Sequence, residues 1–261
     1  MLDHHRQAVD RLIAELSSNP HFIAVLLAGS IVRGTERPDS DVDLILLATD
    51  EEYARRQASG ELLYHNFEVC DYPGGYAEGK VHSVSYVEEV AERGSEPARS
   101  AFVDARILCS RMDGLEELLA RVTAYPEEER LGKIRSFLAQ LAIHHWYIGE
   151  AERRDDRYLL LRSASQFALF AGRLILAHNR ILFPYHKWFM HDLRTAPDQP
   201  AEMIPTLDRL LEQPSRENAN AVLGCMLTFR EWEGDLTRAA EQFAEDTEQS
   251  WRRGQAPLED R

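Results

Sequence analysis

Residues 29–43 read Gly29-Ser30-Ile31-Val32-Arg33-Gly34-Thr35-Glu36-Arg37-Pro38-Asp39-Ser40-Asp41-Val42-Asp43. The apolar run Phe22-Ile23-Ala24-Val25-Leu26-Leu27-Ala28 precedes them, and Leu44-Ile45-Leu46-Leu47 follows. The pattern predicts a buried strand over 22–28, a Gly-Ser turn, a polar connection, and a second strand over 41–48. Side chains on a strand alternate faces, so Asp41 and Asp43 project to the same side. Two crowded carboxylates repel unless a cation lies between them. Hard oxygen ligands without His or Cys suit Mg²⁺, which binds one or two carboxylates together with substrate phosphates. Gly29 lets a phosphate approach the backbone, where exposed N–H groups and the Ser30 hydroxyl can hold it. Taken singly, an Asp-x-Asp pair is usually a solvated strand end and a Gly-Ser pair only a turn. Together, between two apolar strands, they describe a phosphate cradle facing a carboxylate-held metal.

Upstream, residues 5–18 read as an amphipathic helix that Asn19-Pro20 ends. Downstream, 51–59 reads as an exposed helix. Strands are expected at 67–72 and 81–87, separated by Pro73-Gly74-Gly75 and Glu78-Gly79-Lys80, with a helix over 88–93 and a short strand over 102–108. The composition shifts near Met112. Beyond it Pro126 and three glutamates mark a helix start, 158–177 is apolar on nearly all sides, another helix carries Ile204, Leu207 and Leu211, and a last one runs over 219–248. The expected fold is α+β: a small mixed-sheet module over 1–112 followed by an all-α helical bundle over 113–261.

The chain has 261 residues and a formal charge of −14. Such acidity repels phosphate backbones and disfavours extended nucleic acid as a partner, while a local pocket for one nucleotide remains open. Cys70, Cys109 and Cys225 are far apart and odd in number, which suggests reduced thiols in a cytoplasmic protein rather than a disulfide framework or a zinc site. No signal-peptide h-region and no membrane-spanning apolar run is expected, so no membrane partner is either. A homodimer is compatible with the sequence.

The strand, Gly29-Ser30, Arg33-Gly34, and Ser40-Asp41-Val42-Asp43 opening the next strand resemble the signature of the nucleotidyltransferase superfamily, which includes DNA polymerase beta and the aminoglycoside nucleotidyltransferases. The motif spans about fifteen residues, and the helical C-terminal half is similar to the small antibiotic-type members. The resemblance implies a nucleotidyltransferase module that transfers a nucleoside monophosphate from an NTP, with ATP the expected donor, to a hydroxyl of a small-molecule or protein acceptor. It implies two Mg²⁺ ions held by Asp41 and Asp43, with Ser30 holding the β- and γ-phosphates. Arg33 either contacts phosphate or braces the turn through an ion pair, and support of the turn is favoured.

Members of the family carry a third carboxylate on a later strand, as metal ligand or base. The expected strand over 81–87 has none, only His82, Ser83 and Ser85 among its polar residues. Glu78, just before it, is the first candidate, ahead of Asp71 and Glu68, although Glu78-Gly79-Lys80 also reads as a plain hairpin turn. His82 could serve as a base, but a lone strand histidine is more often structural. In the helical half, Pro184-Tyr185-His186-Lys187-Trp188 offers Lys187 to a triphosphate and aromatic rings to a base or acceptor; the bland reading is a helix break. Gly172-Arg173 could support the site from behind, and His145 falls on an apolar helix face. A rival function is a catalytically weak or inactive nucleotide-binding module, antitoxin-like in its regulatory role, and the missing third carboxylate is its motive.

Overall fold

A computed structural model describes residues 1–254 and Leu258. It divides into two compact units, Met1–Ala124 and Tyr125–Arg261.

The first unit runs α1 (Asp3–Leu16), β1 (Phe22–Leu27), α2 (Gly29–Arg33), β2 (Val42–Ala48), α3 (Asp50–Ser59), β3 (Leu63–Asn66), β4 (Ala77–Ser83), α4 (Val84–Arg93), α5 (Glu96–Ser100), β5 (Arg106–Ser110) and α6 (Leu115–Thr123). The five strands form one sheet in the order β3-β4-β2-β1-β5. Pairing is antiparallel except between β2 and β4, which run parallel. The fold is thus α+β with a mixed sheet.

Strand β1 is apolar throughout, and β2 is apolar from Leu44 onward, because both of their faces are covered there. On one face Ala8, Val9, Leu12 and Leu16 of α1 pack over Val25, Leu27, Leu44, Leu46 and Val81. On the other, Val87 and Val90 of α4 and Leu115, Leu118 and Val122 of α6 pack over Ala24, Leu26, Ile45 and Leu47. The α6 contacts carry the first unit to Ala124, past the composition shift at Met112. Helix starts follow local chemistry. Thr49 Oγ1 accepts the amide of Glu52 at 3.3 Å, and Ser83 Oγ accepts that of Tyr86 at 3.1 Å.

Three expected elements are corrected. The 67–72 strand lies instead at Leu63–Asn66, and the Asn66 side chain turns the chain out of it by accepting the amides of Glu68 and Val69, each at 3.0 Å. The 81–87 strand begins earlier, at Ala77, and stops at Ser83, where the cap starts α4. The 102–108 strand begins only at Arg106, because Phe102 is buried in the core after α5.

The second unit is helical: α7 (Glu127–Arg154), α8 (Arg157–Asn179), α9 (His186–Thr195), α10 (Met203–Glu212), α11 (Arg216–Phe229) and α12 (Ala239–Asp246). The expected 219–248 helix is broken, because Gly234 packs against Leu138 and Asp235 Oδ1 takes the amide of Thr237 at 2.9 Å. The expectation about membrane-spanning runs also needs correction. By length and composition α8 could cross a bilayer, but 67% of its apolar window is buried inside the unit, around Phe167, Phe170 and Leu174. Arg173 on α8 is fully buried, its guanidinium 4.5 Å from the Phe137 ring centre and 4.4 Å from that of Phe183. The three cysteines are free thiols.

Leu46 is fully buried on the α1 face of β2. Leu46→Ala should cost about 2–5 kcal/mol in urea unfolding, from lost transfer energy and the cavity left behind.

Candidate active site

Strand β1 leaves the sheet at Leu27, and Ala28 still donates its amide to the Asp43 carbonyl at 2.9 Å. Parallel strands β2 and β4 enter at that same end. Their register sets Asp43 directly beside Glu78. Asp43 shares its face with Ile45 and Leu47, the α4/α6 side, and Glu78 shares it across the pair. Asp41 precedes β2 by one residue. One carboxylate oxygen from each of Asp41, Asp43 and Glu78 lies within 4.8 Å of the others. All three side chains are half-buried, and this is the single cluster of three or more such ligands among the described residues.

Gly29 closes the other side. It takes φ +69°, and a Cβ built on it would fall 1.7 Å from Asp43 Oδ2. Both the left-handed backbone and the touching carboxylate therefore demand glycine. From Gly29 the chain turns into α2, which carries Ser30 and Arg33; what reads as a plain turn is one helical turn. The Arg33 guanidinium reaches the Ser100 carbonyl at 3.5 Å.

The loop before β2 is held by groups that sequence reasoning missed. The Tyr72 hydroxyl donates to the Ser40 carbonyl at 2.8 Å. The rings of His4 and His5 on α1 lie 4.4 and 5.1 Å from the Tyr72 ring, and His4 Nε2 meets the Pro38 carbonyl at 3.0 Å. Tyr76, next to β4, accepts the amide of Val42 at its carbonyl at 2.9 Å. The negative charges of Asp41 and Glu78 raise the tyrosine pKa. Tyr76 immediately precedes β4, five residues upstream of the strand expected from residue 81, which is why it was missed.

The candidates for the third carboxylate separate cleanly. Glu78 belongs to β4 and stands in the cluster, and Glu78-Gly79-Lys80 is strand rather than hairpin turn. A glycine fits at 79 because β2 runs close: a Cβ there would lie 3.1 Å from that of Leu44. Asp71 is ion-paired with Arg11 of α1, which lowers its pKa. Glu68 is exposed in the loop after β3. His82, on the same strand face as Glu78, stacks on Tyr86 with centroids 4.3 Å apart, and burial lowers its pKa to about 4. A histidine of that pKa is neutral at pH 7 and a weak base.

In the second unit, Lys187 is exposed on α9, its Nζ 6.0 Å from the Trp188 ring centre. His145 is half-buried and meets Asn220 Oδ1 at 2.7 Å. The buried histidine of that helix is its neighbour His144, whose pKa burial lowers to about 4.

The profile of a domain of unknown function (DUF4037) matches residues 95–189. No curated protein matches the chain in sequence. Among solved structures, the chain is similar to a nucleotidyltransferase-like protein from Exiguobacterium sibiricum 255-15, with 14% identity over 95% of this chain and 80% of that one, and a TM-score of 0.45.

Chemically, three convergent carboxylates with hard oxygen donors fit a divalent cation such as Mg²⁺. Gly29→Ala should drive Asp43 from its position and weaken Mn²⁺ or Mg²⁺ binding on the order of tenfold or more in a calorimetric titration. Gly34→Ala is the control: its φ is +67° with open space around it, so it should cost stability but leave metal affinity unchanged. His82 makes a pH prediction. Folded, it takes a proton only near pH 4; unfolded, near 6.5. The unfolded state binds more protons between these values, so the histidine's contribution to stability is full above pH 6.5 and is lost as pH falls toward 4. In urea unfolding between pH 7 and 4, His82→Phe should lose less stability than the wild-type chain.

Proposed function

We propose that the first unit is a Mg²⁺-dependent nucleotidyltransferase, moving a nucleoside monophosphate from an NTP, with ATP as donor, to an acceptor hydroxyl and releasing pyrophosphate. One observation carries the reading: oxygens of Asp41, Asp43 and Glu78 converge within 4.8 Å beside a glycine that admits no Cβ. The resemblance of residues 29–43 to the nucleotidyltransferase signature supports the same chemistry.

Asp41, Asp43 and Glu78 would hold Mg²⁺, whose chemistry there is to neutralise phosphate charge and align the attacking and leaving oxygens. The Ser30 hydroxyl and the backbone after Gly29 would receive the β- and γ-phosphates. Glu78, on the strand farther from that turn, would take the acceptor's proton. Arg33 acts through α2, bracing the turn that carries Ser30. The motive for an inactive, antitoxin-like module was a missing third carboxylate, and the nearness of Glu78 to Asp41 and Asp43 supports the enzyme reading over it.

The test is pyrophosphate release from each NTP with Mg²⁺ across a panel of hydroxyl acceptors. Asp43→Asn should reduce release to background, and chelation of Mg²⁺ should do the same. Glu78→Gln should slow it by about 10²–10⁴-fold. Release that is indifferent to Asp43→Asn would sink the assignment.

A further inference from the structure

Of the three acids, two belong to the sheet and one does not. The β2–β4 ladder starts at the pair Val42 and Ala77, so Asp43 and Glu78 lie inside it. Asp41 lies outside, at the end of the polar connection from α2. The like charges of Asp43 and Glu78 push it away, and the ladder does not reach it. Its own peptide group supplies the hold. The Ser40 carbonyl and the Asp41 Cα share one planar peptide unit, so a donor fixed on that oxygen fixes where the Asp41 side chain starts. The donor is the Tyr72 hydroxyl, at 2.8 Å.

Tyr72 is itself held from several sides. Its ring lies 4.4 Å from that of His4 and 5.1 Å from that of the fully buried His5, both on α1. Gly75 leaves the ring its space, since a Cβ there would fall 2.4 Å from a ring carbon. The Cys70 thiol donates to the hydroxyl at 3.5 Å, which leaves the hydroxyl proton for Ser40. Arg11 of α1 pairs with Asp71 and donates to the Val69 carbonyl at 3.0 Å. Helix α1 thus grips residues 69–72, and Tyr72 passes that hold to the loop. The loop is closed on itself. Ser40 donates its amide to the Arg37 carbonyl at 3.0 Å and accepts the Arg37 amide at Oγ at 2.9 Å. His4 Nε2 meets the Pro38 carbonyl of the same turn at 3.0 Å.

We propose that Tyr72 is a positioning residue for the carboxylate site: its hydroxyl, on the Ser40 carbonyl, keeps Asp41 against Asp43 and Glu78 and so sets the affinity for the divalent cation. The proposal rests on the metal-site reading above. Tyr72 and Ser40 are half-buried and stand outside the sheet, so their bond does little for the core. Its effect falls on the site before a cation arrives, when Asp41 must stay near two like charges. A cation that finds Asp41 displaced must first draw it back, and that work appears as lost affinity. Phenylalanine at position 72 retains the ring that meets His4 and His5 and removes only the donor.

The test titrates the full chain with Mn²⁺ by calorimetry, which reads affinity and the number of sites separately. Tyr72→Phe should lower Mn²⁺ affinity on the order of tenfold with the number of sites unchanged. Tyr64→Phe removes a different hydroxyl bond of the same unit, to Glu15 at 3.3 Å, and should leave Mn²⁺ affinity at the wild-type value. In hydrogen exchange the Arg37 and Ser40 amides should exchange faster in Tyr72→Phe, while those of β1 keep the wild-type rate. Mn²⁺ affinity indifferent to Tyr72→Phe, or unchanged exchange at Arg37 and Ser40, overturns the proposal. So does a loss of sites in place of affinity, or an equal loss of affinity in Tyr64→Phe, since either would make the hydroxyl a general support of the fold. Affinity that falls with Asp43→Asn but not with Tyr72→Phe would overturn the positioning role alone. Absence of Mn²⁺ binding to the wild-type chain, or affinity indifferent to Asp43→Asn, would count against the carboxylate site itself and overturn the proposal with it.

Discussion

The candidate site depends on one backbone register, the parallel pairing of β2 with β4 that puts Asp43 beside Glu78. Alternation on each strand then fixes everything else on that face. A one-residue slip would turn Glu78 toward α1 and Gly79 away from Leu44. The register is held by burial, since Leu44, Leu46 and Val81 must meet α1 while Ile45 and Leu47 meet α4 and α6. Hydrophobic packing on both faces thus aligns three like charges that would otherwise separate.

The half of the site that lies on contiguous chain was legible in the sequence. Two apolar runs around Gly29–Asp43 gave both strands, and period two gave the shared face of Asp41 and Asp43. Glu78 could be named as a candidate but not placed on a strand, because Glu-Gly-Lys carries the composition of a turn. Only the close passage of Leu44 explains a glycine inside β4, and that neighbour is thirty-five residues away in sequence. Tyr72, Tyr76 and His5 were invisible for the same reason: their partners lie on other segments. Asp71, the candidate ranked after Glu78, is held instead by Arg11 of α1, a partner distant in sequence. In the helical half the long elements were readable from periodicity. The break at Gly234-Asp235 was missed because it answers to packing against Leu138.

The two units solve different problems with charge. In the first, acids gather at an open sheet end where a cation could neutralise them. In the second, the guanidinium of Arg173 is buried between two phenylalanine faces, a setting in which ring quadrupoles replace part of the lost hydration. Its neighbourhood on α8 is core, not site, although the sequence pairs it with residues dense in polar aromatic groups.

The lone parallel pairing also orders events in time. Gly29, Asp41 and Asp43 belong to β1, β2 and their connection, whose antiparallel contacts are near in sequence. Glu78 reaches them only once α3 and β3 have carried the chain across, and contacts distant in sequence close later. A nascent first unit therefore holds two acids before it holds three. Full ligation becomes a report that the crossover has docked, so cation affinity would discriminate the finished sheet from one that lacks its β3–β4 wing.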